Sequence, residues 1–193
     1  MARSHFQRSY QPHPPAMIED PEMTEPETNF VFSSETPALQ EVIATRRTIG
    51  AFLSRVDGLD EALVEAVEMA RWAPNHRRTE PWNFHKLGPQ TIEKVLLLSD
   101  ETLTASKGAD VAASKRKQWA AVPGWLVVSC EIAEDPAIAE EDYAACACAI
   151  QNLTLSLWSR GIASKWSTGE ITQSREFAAI CGLDPEKSRV AGL

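Results

Sequence analysis

Residues 142–161 read Asp-Tyr-Ala-Ala-Cys-Ala-Cys-Ala-Ile-Gln-Asn-Leu-Thr-Leu-Ser-Leu-Trp-Ser-Arg-Gly, and the reading of this stretch decides the fold. Tyr143, Cys146, Ile150, Leu153 and Leu157 recur at alternating steps of three and four, the period of one helix face. Ala, Cys, Leu and Trp fill the other faces. A helix over about 141–160 that is apolar nearly all round has to be buried on several sides, and Gly161 is a natural residue to end it. The uncharged run Ala144–Ser159 contains Gln151, Asn152, Thr154, Ser156 and Ser159. It is too short and too polar to span a bilayer. The fold is therefore expected to wrap around this helix.

Working outward, Leu39, Val42 and Ile43 predict a helix that starts near Pro37 and runs into Arg46-Arg47-Thr48. Asp57-Gly58 is a turn, and Leu59, Leu63, Ala66, Val67 and Ala70 mark one face of a second helix that stops at Ala73-Pro74. Pro81–Gly88 reads as a strand by alternation and aromatic content. Two helices follow, at about 90–104 and 109–121. Gly124–Cys130 is a continuous apolar run of strand length, suited to the centre of a sheet. Beyond the long helix, Ile162–Trp166 is expected as a short strand. Thr172 is placed to cap a last helix ending at Gly182, Asp184–Lys187 is a turn, and Arg189–Leu193 begins a strand. Helices and strands are intermixed, which is an α+β pattern rather than a doubly wound one.

The 193 residues divide unevenly. Six of the 12 prolines lie within the first 37 residues, and residues 1–36 carry two arginines against six carboxylates, half of the formal −8. This segment is expected to be a disordered, acidic, Pro-rich tail ahead of a domain over 37–193. The domain is long enough to bury a core without staples. The basic stretches Arg46-Arg47, Arg77-Arg78 and Lys115-Arg116-Lys117 are too short for a nucleic-acid face, though two of them could serve one small anion. No apolar run of signal-peptide length opens the chain. The four histidines and four cysteines have no metal-ligand spacing, so neither metal nor membrane chemistry is expected. Cys130, Cys146, Cys148 and Cys181 read as small fillers in a reducing cytoplasm, with Cys146 and Cys148 pointing to different sides of their helix.

No two of the nine glycines are two residues apart, so there is neither a dinucleotide fingerprint nor a P-loop. A phosphate-bearing cofactor would have to be held by side chains. Arg46-Arg47-Thr48 suits that task, with guanidinium forks and a hydroxyl; the same arginines equally suit the simple closure of a helix C-terminus. Ala73-Pro74-Asn75-His76-Arg77-Arg78-Thr79-Glu80-Pro81-Trp82 is a stiff polar loop that can present side chains to a ligand, or an ordinary connection. Ser164-Lys165-Trp166-Ser167-Thr168-Gly169 says little alone.

Taken in order, an Arg-Arg-Thr after a first helix, the Ala-Pro-Asn-His…Pro-Trp loop after a second, and the Ser-Lys-Trp-Ser-Thr-Gly segment after a long apolar helix resemble the nitroreductase family of flavoproteins. The likeness covers about Ala38 to Leu193 and is nearest to the small subgroup with His after Pro-Asn or Pro-Asp. It implies a mixed sheet flanked by helices in an intertwined homodimer, with FMN at the subunit interface and NAD(P)H as co-substrate. Carried over, Arg46, Arg47 and Thr48 would hold the phosphate, ribityl chain and pyrimidine edge. Asn75, His76 and Glu80 belong to the second motif, with His76 and Glu80 coming from the partner subunit. Trp166, Ser167 and Thr168 would line the cofactor, and no residue is assigned as a catalytic acid or nucleophile. The implied chemistry is ping-pong transfer from NAD(P)H to nitroaromatic, quinone or similar acceptors.

Two positions depart from the family's pattern. Many relatives carry Lys or Arg where this chain has Gly50, and the subgroup often has Gln where this chain has Glu80. These keep open a flavin protein of different reaction, such as a dehalogenase or oxidase, or one without turnover. The resemblance also implies that the strand begun at Val190 continues in relatives into an arm around the partner, so that a chain ending at Leu193 is expected to be truncated there.

Overall fold

The structure, a computed structural model, describes residues 36–53 and 55–193. The acidic tail expected over 1–36 lies, apart from Thr36, outside the described residues. In chain order come α1 (Thr36–Thr45), α2 (Leu59–Ala70), a 3-10 turn (His76–Arg78), β1 (Trp82–Lys86), α3 (Pro89–Lys107), α4 (Ala109–Ala120), β2 (Leu126–Glu131), α5 (Pro136–Ser159), a second 3-10 turn (Glu170–Gln173), α6 (Arg175–Ile180) and β3 (Ser188–Gly192). The strands form one sheet in the order β1-β2-β3, antiparallel throughout, with a register shift between Val128 and Ser129. Among the described residues no helix is long and apolar enough to cross a membrane.

The apolar run of β2 is explained by cover on both of its faces. Val128 and Cys130 turn toward a core built with Ala62, Ala66 and Ala70 of α2 and Cys146, Ile150 and Leu153 of α5. Val127 turns the other way, into a core with Val95 and Leu96 of α3 and Phe177 of α6. Each fully buried residue such as Phe177 or Val127 contributes about 1.5–3 kcal/mol. Cys146 is buried and Cys148 exposed, as their spacing implies. Arg116 of α4 binds both Glu93 and Asp100 of α3 at 2.6 Å, which clamps these two helices side by side.

Several expectations need correction. The long helix starts at Pro136, five residues before the apolar stripe suggests, because Asp135 accepts a hydrogen bond from the Ala137 amide (2.9 Å) and Pro136 occupies the first turn. Ile162–Trp166 is not a strand. After Gly161 (φ 75°) the chain makes one parallel bridge, Thr48 with Ser164, and then turns so that Ser167 pairs with Leu193. With its hydrogen bonds divided between two partners the segment forms no ladder. Thr172 does not cap the last helix: its hydroxyl donates to the Gly169 carbonyl within the second 3-10 turn, and Ser174 caps α6 by accepting from the Phe177 amide at 3.1 Å.

Candidate functional site

The Arg-Arg-Thr motif leaves the C-terminus of α1, and its two arginines diverge. Arg47 folds back, donating through Nη1 to the carbonyls of Ala44 and Arg46, both at 2.8 Å, and so closes the helix. Arg46 is half-buried and has no ion-pair partner among the described residues. Trp158 of α5 donates to the Thr45 hydroxyl at 3.0 Å, which pins the end of α1 to the end of α5. The Ile49 amide then donates to the Ser164 carbonyl at 3.2 Å, drawing the Arg-Arg-Thr segment beside the Ser164–Gly169 segment. The first and third motifs therefore meet within one chain.

In the third motif the Trp166 indole donates to the Ala191 carbonyl at 3.0 Å, and Ser167 exchanges two backbone hydrogen bonds with Leu193, at 2.8 and 3.0 Å. Strand β3 thus fixes the edge that Trp166 and Ser167 present, while Thr168 is exposed.

The second motif is a strained loop. Arg77, Arg78 and Glu80 have φ of 70°, 54° and 47°, a region that costs a side-chain-bearing residue on the order of 1–3 kcal/mol. The conformation is held by the loop's own polar groups. Asn75 accepts from the Glu80 amide at 2.8 Å and donates to the Thr79 hydroxyl at 3.0 Å. Thr79 in turn donates to Asp142, a buried carboxylate on α5. His76 Nδ1 and Arg77 Nε lie 3.0 and 3.3 Å from Oε2 of Glu141. Desolvation, the largest single influence, pushes the Glu141 carboxyl up, but the hydrogen bonds and charges of His76 and Arg77 together outweigh it and hold the carboxyl below the ordinary range. Asn75 is spent inside the loop, whereas Glu80 has no side-chain ion pair among the described residues. Glu141 and Asp142 carried no motif signal; the signal that could have found them is the acid run Glu140-Glu141-Asp142 at the head of an otherwise uncharged helical stretch.

The second motif stands apart from the other two. It is anchored at Asp142, whereas the Thr48–Ser164 bridge lies beyond Leu157 and Gly161. At 1.5 Å per residue these points on α5 are about 22 Å apart.

Beside the first and third motifs a cleft of about 340 Å³ opens between Gly50–Phe52, Lys115, Trp119, Trp125 and the Gly161–Ser167 segment, floored by Ile150 and Leu153 of α5. Its volume is that of a small-molecule pocket. Trp166 and Ser167 line it, and among the described residues no Asp or Glu side chain does. Lys115 and Lys165 are its cations; partial burial first, then the positive charges of Lys165 and Lys107, push Lys115 below the ordinary lysine range. A Cβ added at Gly50 would meet nothing within 4 Å, so this wall is open space. Lys115, Trp119 and Trp125 carried no motif signal, because they reach the cleft from α4 and the start of β2.

The chain resembles known proteins over almost all of this body. It is 31% identical over 160 residues to YfhC of Bacillus subtilis (strain 168), named for NAD(P)H nitroreductase activity, with 80% of this chain and 81% of that protein covered. Among solved structures it is similar to a nitroreductase-like family protein from Bacillus cereus (28% identity, 80% and 81% coverage, TM-score 0.68). It shares the fold of the FMN- and NADPH-dependent nitroreductase NfnB of a Sphigopyxis strain (18% identity, 80% and 85% coverage, TM-score 0.61). The sequence profile of the Nitroreductase family matches residues 43–193. Three motifs in the family's order, the fold around α5 and this match over most of the chain agree: the protein belongs to the Nitroreductase family.

Proposed function

We propose that this protein is an FMN-dependent oxidoreductase that acts as a homodimer and passes electrons from NAD(P)H to nitroaromatic, quinone or similar acceptors in ping-pong alternation. When bound, FMN supplies hydride acceptance from the nicotinamide and electron delivery to the acceptor. The balanced reaction on a nitro group consumes NAD(P)H and a proton and releases NAD(P)+, the nitroso product and water.

The residues present fit the cofactor. Arg46, half-buried and without an acidic partner among the described residues, is available to a phosphate. Thr48 adds a hydroxyl, Arg47 holds the helix end that orients both, Trp166 and Ser167 border an apolar cleft suited to a flat ring, and the exposed Thr168 follows directly beside it.

The observation that carries the reading is the separation of about 22 Å along α5 between the His76–Glu80 loop and the other two motifs. A two-fold axis that lays one α5 antiparallel to its copy brings the partner subunit's His76 and Glu80 to this chain's cleft. The surface supports such pairing. α1 and α2 pack along α5, and they leave Leu39, Ile43, Met69 and Trp72 exposed, the last at 79%. Ala144 and Cys148 on α5 are exposed too, a concentration of apolar surface typical of an interface.

The test is a visible spectrum of the purified full-length protein after addition of FMN, followed by anaerobic NADPH and NADH and by a mass measurement in solution. Flavin bands that bleach with either nicotinamide, in a dimer, are expected. A protein that retains no flavin and oxidises neither nicotinamide would sink the proposal. The open space at Gly50, where relatives carry a cation, favours a second reading in which flavin binds and turns over slowly; bands that persist after both nicotinamides would select it.

A further inference from the structure

We propose that Lys115 and Lys165 form an anion-recognition pair in the cleft, so that the acceptors this protein prefers are flat aromatic molecules carrying a negatively charged substituent such as a carboxylate. The inference rests on the reading of the cleft as the place where cofactor and acceptor meet.

Charge placement carries it. The chain is acidic, with 27 Asp and Glu residues against 19 Lys and Arg, yet among the described residues no Asp or Glu lines the cleft while two lysines do. Neither lysine has an ion-pair partner among the described residues. The contrast with the next residue is direct: Arg116 is saturated by Glu93 and Asp100 on the α3 side, and Lys115 is left on the cleft side. Its ammonium is held 4.9 Å from the ring centroid of Trp119, one helical turn on, a cation–π contact that fixes where the charge stands. Lys165, on the Gly161–Ser167 segment next to Trp166, also lines the cleft, near enough for its charge to act on Lys115.

Two like charges beside apolar walls are unfavourable until an anion joins them, and partial desolvation strengthens that attraction. The walls select the rest of the molecule. Phe52, Trp119, Trp125 and Trp166 offer aromatic surface for a planar ring, and the Trp125 indole N–H has no hydrogen-bond partner among the described residues.

The experiment compares 4-nitrobenzoate with 4-nitrobenzyl alcohol, near-isosteres that differ in charge. Binding to the full-length protein is followed by tryptophan quenching without FMN, and the ratio of kcat/KM values is measured with FMN present. We expect the carboxylate to be favoured about tenfold, the preference to shrink with added salt, and Lys115→Met or Lys165→Met to remove most of it. Lys115→Arg, which retains the charge, and Lys117→Met, outside the cleft, should keep the preference. No preference for the carboxylate, or a preference unmoved in both Met variants and their double variant, overturns the proposal. It is also overturned if the Met variants weaken FMN but not riboflavin, since the pair would then serve the cofactor's phosphate. The quenching arm needs no flavin, so a failure to bind FMN would remove the oxidoreductase reading while leaving this result legible.

Discussion

The indole Nε1 of Trp166 donates to the carbonyl of Ala191 at 3.0 Å, and it does so across Gly192. A Cβ on Gly192 would overlap the indole nitrogen, stand 2.6 Å from Cδ1 of the same ring and 3.1 Å from Cδ1 of Ile150. The cleft wall and β3 are therefore fitted to each other through a missing side chain.

Gly192→Ala is expected to expel Trp166 from this seat and cost about 1–3 kcal/mol, the usual range for overpacking. For a chain of this size that lowers Tm by roughly 2–4 °C per kcal/mol. A thermal melt with the tryptophan emission maximum reads both effects; an unchanged melt and emission would show that the ring moves aside freely.

Thr79→Val is expected to destabilise the protein by about 1–3 kcal/mol, because it removes the hydroxyl donor to Asp142, a carboxylate only 4% exposed. The loop residues with positive φ lose an anchor at the same time. Denaturant melts give the first quantity, and protease cleavage near Arg77 and Arg78 reads the second.

The arginines of the first motif should behave differently. Arg46→Ala is expected to weaken FMN by about tenfold or more while leaving riboflavin affinity nearly unchanged, since only a phosphate contact is lost. Arg47→Ala removes two bonds to helix carbonyls and should cost less than about 1 kcal/mol of stability. Flavin titrations of both variants, paired with melts, separate the roles.

Gly50→Lys places a cation in a space where an added Cβ meets nothing within 4 Å. A positive charge beside reduced flavin favours its anionic form, so the variant is expected to raise the flavin midpoint potential and the rate of reduction by NAD(P)H. Redox titration and stopped-flow bleaching test this; a lowered potential would contradict it.

Partial burial holds the His85 imidazole, whose Nε2 lies 3.0 Å from the Ser129 hydroxyl, below its ordinary value. The unfolded chain therefore binds the proton first as pH falls. The His85 contribution to stability is complete above about pH 6.5 and is lost as pH drops from there through the depressed folded value. His85→Gln should flatten that part of the pH–stability curve, as chemical denaturation at stepped pH will show.

Much of this protein follows from local pattern. The three- and four-residue steps from Tyr143 to Leu157 determined a buried helix, and the unbroken run through Val127 and Val128 determined a central strand, since both signals arise from which faces are denied water. The order of the three motifs determined the family. Local pattern could not show that Arg46 and Arg47 part company, because adjacent residues on a helix end differ only in what tertiary structure sets against them. Nor could it show that Ile162–Trp166, strand-like in composition, spends its hydrogen bonds on Thr48's neighbour and Leu193 instead of a ladder. The cleft was decided wholly in three dimensions: Gly50, Lys115, Trp125 and Lys165 come from four separate segments, and only the clamp of α4 on α3 and the seating of Trp166 on β3 bring their chemistry to one place.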